Sequence, residues 1–287
     1  MGTSSLALPR RLLAASLVTL VLATLAAGAG LLVPSLYRDS DPLLPQLYGQ
    51  DFLTLTVAVP ALAVALLLAA RGSVRGYVAW LGVTGYLLYT YASYAVMTAF
   101  NPLYLVYVAL FGLALFTLAA GVARLDPDVV RRQVGDGPVR AAVAYQVVVA
   151  LLVGVLWLAD VVPASISGTI PAAIENTGLV TPVIQSLDLA VLLPAFALSA
   201  YWLWRGRAWG YAFTAVLLVK ATTLGLAVLA MVAVMLRDGQ PVSAPQIVVF
   251  VLLSVAGLAV TGWFLRAIGP DSDATRTATV TADSPGH

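Results

Sequence analysis

Apolar residues form a series of long runs along the chain, and the charged residues are concentrated in the short segments between them. A helix needs roughly 20 residues to cross a hydrocarbon core of about 30 Å. Eight runs reach this length, at residues 12–33, 51–70, 77–98, 103–123, 141–162, 185–204, 211–236 and 247–267. The pattern predicts an all-α, polytopic helical membrane protein with about eight transmembrane helices.

The composition is that of a chain that lies in lipid. Hydrophobic residues make up 61% of the 287 residues and charged residues 10%, which is more apolar than a soluble domain. The formal net charge of +2 comes from few groups and does not indicate a nucleic-acid partner. The chain has no cysteine, and its single histidine is His287 in the polar tail. Thiolate metal centres and histidine-ligated haem therefore lack their ligands, and we expect no cofactor.

The positions of the basic residues predict the orientation of the chain, because lysine and arginine are retained at the cytoplasmic ends of spans. With the N-terminus inside, twelve of the fifteen basic residues are cytoplasmic, namely Arg10, Arg11, Arg71, Arg75, Arg124, Arg131, Arg132, Arg140, Arg205, Arg207, Arg266 and Arg276. We predict that both termini are cytoplasmic and that these arginines contact anionic lipid headgroups. The expected location is the cell membrane of a prokaryote.

Two hairpins of the predicted bundle share a spacing pattern at an offset of 134 residues. Pro60 is followed by an Arg-Gly pair at residues 71–72, and Pro194 is followed at the same distance by an Arg-Gly pair at residues 205–206. Such self-similarity indicates an internal repeat. Chance similarity between apolar hairpins is the alternative explanation.

The predicted repeat divides the chain into two four-helix transmembrane units, at residues 1–123 and 141–267. Residues 124–140 form a cytoplasmic linker, and residues 268–287 form a polar cytoplasmic tail that we expect to be disordered. Because four crossings return the chain to its starting side, the two units have the same, parallel orientation in the membrane.

Lys220 is the only lysine of the chain, and it lies within the seventh predicted span. At about 1.5 Å per residue it is roughly 14 Å from the inner boundary, near the membrane midplane. A charge there costs on the order of 2.5 to 3.5 kcal/mol, and such charges usually mark substrate or ion pathways. The partners that we predict are Asp188, or the carbonyl of Ala190 that Pro194 leaves free.

The same offset places Thr54 at the position of Asp188 and Tyr86 at the position of Lys220. One unit would then carry neutral polar groups where the other carries charges. We predict a substrate site near the midplane that is formed by Lys220, Asp188, Tyr86, Thr54, Pro194 and Pro60. A purely structural ion pair between the lysine and the aspartate is the alternative.

Three aspartates, Asp51, Asp160 and Asp188, lie near the outer ends of predicted spans. If they converged, their carboxylates could bind a hard cation such as Ca²⁺. The simpler interpretation is that Asp51 and Asp188 cap helix N-termini, where the helix dipole favours an acid. We therefore predict no metal site.

These observations leave two functions of equal weight. The first is a transporter or permease for a small solute, for which a lysine would favour an anionic substrate. The second is a non-transporting accessory, scaffold or sensor protein whose charges only hold helices together. An intramembrane enzyme comes third, because no nucleophile is found beside a base.

Overall fold

The computed structural model describes residues 8–135, 137–242 and 244–269, and within these ranges it contains helices and no strand. The polar tail from residue 270 onward lies outside the described residues. The helices are α1 (Arg10–Leu32), α2 (Leu44–Leu53), α3 (Val59–Ala70), α4 (Val74–Met97), α5 (Tyr104–Arg124), α6 (Pro127–Val134), α7 (Val139–Ser167), α8 (Val183–Leu187), α9 (Leu193–Trp204), α10 (Ala208–Arg237) and α11 (Ala244–Ala267).

Seven helical stretches within the described ranges are long and apolar enough to cross a membrane, namely Arg10–Leu32, Leu44–Ala70, Tyr104–Arg124, Val139–Ser167, Val183–Trp204, Ala208–Arg237 and Ile247–Ala267. Each of them overlaps a predicted span. The remaining predicted span, residues 77–98, forms the 24-residue helix α4, which carries more tyrosine and threonine and is buried along most of its length. The chain is a helical, multi-pass membrane protein.

Two helix boundaries differ from the predicted ones in a way that matters for the site. Helix α2 begins at Leu44, not at residue 51, because Pro45 is accommodated in its first turn. Helix α7 continues past residue 162 to Ser167. The N-terminal flanking residues of α2 and α8 are Leu43 and Pro182, so the prediction that Asp51 and Asp188 cap these helices is wrong.

The segment between the two predicted units contains a short helix that the apolar pattern did not predict. Asp126 caps α6 by accepting hydrogen bonds from the amides of Asp128, at 3.0 Å, and Val129, at 3.4 Å. Val130 and Val134 bury the inner face of α6. Helix α6 therefore packs against the bundle and holds this segment in place.

The two prolines at the offset of 134 residues follow two π-helical turns at the same offset. The turn Thr54–Ala58 joins α2 to α3, and the turn Asp188–Leu192 joins α8 to α9. A proline ring clashes with the carbonyl four residues earlier, and a wider turn relieves that clash. Each of the two helical stretches therefore contains a local break in its hydrogen-bond ladder just before Pro60 or Pro194.

Hydrogen bonds join the connecting segments at one end of the bundle, which we call the loop end. Asp39 accepts from the amide of Ala99 at 2.8 Å, and the hydroxyl of Ser40 donates to the carbonyl of Thr177 at 2.7 Å. Burial raises the pKa of Asp39 above its usual range. At the opposite end Arg75 donates to the carbonyl of Ile268 at 2.6 Å. These contacts tie segments that are far apart in sequence.

Helices α4 and α10 pack closely at the centre of the bundle. A Cβ on Gly82 of α4 would lie 2.5 Å from Cβ of Val219 and 2.8 Å from the carbonyl oxygen of Val216. Gly49 of α2 packs in the same way against the backbone of Met231 in α10. Small residues at these crossings allow the backbones to approach, as is common in membrane proteins. Helix α10 is therefore in close contact with α2 and α4, two helices of the first predicted unit.

Candidate functional site

A cavity of about 310 Å³ lies between α2 and α4 on one side and α7 to α11 on the other. Along α10 it extends from Met235 to Ala221, a distance of about 21 Å at the usual helical rise. Leucine, valine, methionine and phenylalanine form most of its wall. The polar side chains in the wall are Gln46, Gln50, Tyr89, Thr90, Ser93, Tyr94, Tyr145, Trp157, Asp188 and Ser254. The cavity is thus apolar with a few discrete polar groups, which is typical of small-molecule sites.

Among the described residues, Asp188 is the one acidic residue in the cavity wall, and only 5% of its surface is exposed. Its Oδ1 accepts a hydrogen bond from the hydroxyl of Tyr89 at 2.9 Å, and its Oδ2 accepts one from Nε1 of Trp157 at 2.8 Å. The π-helical turn that begins at Asp188 sets its direction toward α4 and α7. Each carboxylate oxygen can still accept a further hydrogen bond from a ligand.

Lys220 is buried behind the cavity wall. Its ammonium nitrogen lies 4.0 Å from the centre of the Tyr89 ring, and it has no hydrogen-bond partner among the residues that the structure describes. A desolvated cation over an aromatic face gains up to about 2 kcal/mol. The neighbouring residues Ala221 and Gly225 line the cavity, whereas Lys220 does not.

Lys220 and Asp188 are linked through Tyr89, and we call these three residues the lysine-tyrosine-aspartate unit. The tyrosine ring receives the ammonium on its face, while its hydroxyl donates to the carboxylate. The predicted direct ion pair is not formed, since within the described ranges the only salt bridge under 4.0 Å joins Arg237 to Asp238. The predicted bond to the carbonyl of Ala190 is not formed either. The lysine is held by an aromatic ring instead of by an acceptor.

Thr54 and Tyr86 contact each other in a separate hydrogen-bonded cluster. Their hydroxyls are 3.0 Å apart, and the amide of Gln50 donates to Tyr86 at 2.8 Å and to Thr90 at 2.7 Å. Both predicted residues are fully buried and are separated from the cavity, whereas Gln50 and Thr90 reach its wall. In this conformation, neither Thr54 nor Tyr86 can contact a ligand in the cavity.

Pro60 and Pro194 lie on the outer surface of the helical bundle, where both are exposed. The structure therefore does not bring them into the cavity. Their contribution is indirect, because Leu192 and Leu193, which precede Pro194, do line the cavity. The broken helix near Pro194 is what carries Asp188 into the wall.

The three aspartates of the alternative cation site lie in three different environments. Asp51 accepts hydrogen bonds from Tyr37 and Tyr94, whereas Asp160 accepts from the amides of Ala172, at 2.9 Å, and Ala173, at 3.2 Å. Asp188 lies in the cavity wall. Across the described part of the chain, no three histidine, cysteine or acidic side chains are grouped as metal ligands would be.

Several residues of the site were not predicted from the sequence. Trp157 lies near the end of a predicted span, a position typical of interfacial tryptophans, but its Nε1 donates a hydrogen bond to Asp188. Ser254 lies in the cavity wall, and its buried hydroxyl has no partner in the described structure. In the sequence, Tyr86 and Tyr89 are three residues apart on one helix, which suggests a shared face. This spacing does not show that Tyr86 bonds to Gln50 and Thr54 while Tyr89 bonds to Asp188.

Comparison with known proteins does not assign the chain to a family. No protein-family model matches the sequence, and no curated protein and no solved structure matches it either. The fold and the composition establish the class of the protein, a multi-pass helical membrane protein. The cavity and its polar groups carry the functional argument.

Proposed function

We propose that this protein is a permease that binds a small amphipathic molecule in the central cavity and moves it across the membrane. The observation that carries the proposal is the cavity itself, which extends from the loop end about halfway through the bundle and has Asp188 in its wall. Buried carboxylates inside membrane proteins are costly and usually functional. The π-helical turns next to Pro60 and Pro194 supply positions at which the two broken helices can bend.

The charges around the cavity favour a ligand with a cationic or hydrogen-bond-donating head and an apolar body. Asp188 faces the cavity with acceptor capacity, whereas the ring of Tyr89 contacts the ammonium of Lys220, which does not reach the wall. An anionic solute, which the lysine suggested, would meet the carboxylate first. We therefore assign the ligand class as small apolar amines or neutral donors.

A second candidate is a non-transporting scaffold or sensor. The observation that favours it is the enclosed position of Lys220, whose charge is satisfied by Tyr89 without any contact to the cavity. In that case the cavity would hold lipid or remain dry, and the lysine-tyrosine-aspartate unit would only fix α4 against α10.

Cysteine accessibility separates these two functions, because the chain has no cysteine of its own. Ser254→Cys places a thiol in the cavity wall, and Ser199→Cys is the matched control, since Ser199 is buried against Thr214 outside the cavity. We expect a membrane-impermeant thiol reagent to label only Ser254→Cys, and to do so from either side of the membrane in turn. Absence of labelling in folded protein would support the scaffold.

Three ligands that share one chain, octylamine, octanol and octanoate, test the ligand class. We expect octylamine to protect Ser254→Cys from labelling most strongly and to raise the thermal stability of the purified protein. Asp188→Asn should remove the preference for octylamine, whereas Asp160→Asn, at the loop end, should retain it. Equal effects of all three compounds, or a preference for octanoate, would contradict the assignment.

We also propose a finer architecture for the chain. Helix α4 is an eighth span, and the two four-helix units, which are related by the offset of 134 residues, lie in parallel with both termini in the cytoplasm. The matching π-helical turns support the repeat. The cytoplasmic arginines, including Arg131 and Arg132 of α6, contact anionic lipid headgroups in a prokaryotic cell membrane. Cysteines introduced at Arg132 and at Thr169 should be labelled from opposite sides.

A further inference from the structure

Asp51 is a buried carboxyl group that the proposed ligand site does not use. Only 2% of its surface is exposed, and its oxygens accept hydrogen bonds from the hydroxyls of Tyr37 and, at 3.1 Å, Tyr94. It lies in α2, two turns inside a stretch that is apolar enough to span a membrane. A carboxylate in such a place needs either a compensating cation or a proton.

No fixed cation stands beside Asp51 in the described structure. The titratable side chains around it are tyrosines: Tyr37 in the segment before α2, Tyr86, Tyr91 and Tyr94 on α4, and Tyr107 on α5. Helix α1 contributes Gly30 at this level. Helix α10, which packs on α2, carries Lys220 beside Tyr89 and Arg237 in a salt bridge to Asp238.

The shape of the Asp51 site excludes a bulky neutralising group. A Cβ on Gly30 would overlap Oδ2 of Asp51 and would lie 2.6 Å from the hydroxyl of Tyr37. The carboxyl group is thus closed in by the α1 backbone on one side and by two phenols on the others. Burial raises the pKa of the Tyr37 hydroxyl, so its phenol stays neutral. A proton is the one neutralising group that needs no additional space.

Tyr94 connects Asp51 to the cavity. Its hydroxyl donates to Asp51, and its side chain forms part of the cavity wall together with Leu47, whose carbonyl is 3.2 Å from the same hydroxyl. Tyr89, on the same helix, connects the cavity to Asp188. Helix α4 therefore places one tyrosine between the cavity and each of the two buried acids.

We propose that Asp51 is a proton-binding site that exchanges protons with the cavity through Tyr94, so that ligand occupancy and protonation are coupled. The Tyr94 hydroxyl passes its proton to a carboxylate oxygen of Asp51, and a proton from cavity water restores the hydroxyl. The buried hydroxyl of Tyr107, which has no hydrogen-bond partner in the described ranges, borders this cluster at 5.3 Å between its ring centre and that of Tyr94. The coupling, but not the protonation, rests on the proposed ligand site.

Infrared spectroscopy of the purified full-length protein tests the protonation. We expect a carboxylic-acid C=O band at neutral pH that disappears in Asp51→Asn. The band should remain in the control variant Asp160→Asn, since the Asp160 side chain contacts loop amides and lies away from this site. The band should shift when octylamine saturates the wild-type protein. If the wild-type protein shows no band that depends on Asp51 between mildly acidic and neutral pH, the proposal is overturned.

Tyr94→Phe keeps the ring packing and removes only the hydroxyl, so it provides a test that does not depend on folding of Asp51→Asn. In Tyr94→Phe we expect the Asp51 band to persist. The exchange of its proton for deuterium, seen as a shift of the band in deuterated water, should slow several-fold, whereas Tyr91→Phe should leave this exchange rate unchanged. An unchanged rate in Tyr94→Phe would refute the exchange path. A band that fails to respond to octylamine, in a protein whose Ser254→Cys is protected by octylamine, would refute the coupling alone.

Discussion

The two buried carboxyl groups of the bundle, Asp51 and Asp188, are nearly equal in burial and differ in what surrounds them. Each accepts a hydrogen bond from a tyrosine of α4, and both are at most 5% exposed. Asp188 has a cation on the far face of its tyrosine and forms part of the cavity wall. Among the described residues no cation lies beside Asp51, and Tyr94 separates Asp51 from the cavity.

This difference predicts different properties for the same type of side chain at two places in one helical scaffold. A carboxylate near a cation can remain charged and attract a donor from a ligand. We infer that a buried carboxyl group with no cation beside it is more stable when neutral, because burial penalises the charge. The two sites are therefore expected to respond differently to substitution.

The largest effect is expected at the lysine-tyrosine-aspartate unit. Asp188→Leu leaves the donors of Tyr89 and Trp157 unsatisfied and isolates the charge of Lys220, so it should lower the free energy of unfolding by about 3 to 5 kcal/mol. Lys220→Met should cost clearly less, because the ammonium makes no hydrogen bond in the described structure. Thermal unfolding in detergent measures both, and equal losses would indicate a direct ion pair.

A smaller effect is expected from closing the space beside Asp51. Gly30→Ala places a methyl group on Oδ2 of Asp51 and should cost about 1 to 3 kcal/mol through overpacking. The matched control is Gly28→Ala on the same helix, where the added methyl group meets no atom within 4 Å. Adding Asp51→Ala to Gly30→Ala should recover part of the loss. If the two glycine variants unfold at the same temperature, Asp51 is not packed as described.

The apolar pattern predicted the seven helical stretches that are long and apolar enough to cross a membrane, because length and hydropathy reflect the thickness of the membrane. It missed the start of α2, since residues 44–50 contain proline, glutamines and glycine and resemble a loop, although Gln50 is buried. That one boundary determined the role assigned to Asp51. The depth of Lys220 followed from helical rise, but its partner depends on how α4 and α10 are rotated, which no spacing along one chain reveals.

The smallest effect concerns the counterpart of the charged unit, the pair Thr54 and Tyr86. Their hydroxyls are 3.0 Å apart and buried, so a double-mutant cycle with Thr54→Val and Tyr86→Phe should give a coupling energy of about 1 kcal/mol. The control cycle combines Thr54→Val with Tyr145→Phe, whose hydroxyl donates to Leu253 and shares no partner with Thr54.

The control cycle should be additive within about 0.5 kcal/mol. Neither Thr54→Val nor Tyr86→Phe should change the protection of Ser254→Cys by octylamine, because neither side chain lines the cavity. Loss of that protection would mean that the cluster around Tyr86 opens to the cavity when a ligand binds. The pair Thr54 and Tyr86 would then differ from Asp188 and Lys220 in charge but not in access to the ligand. The ligand site would extend across both pairs.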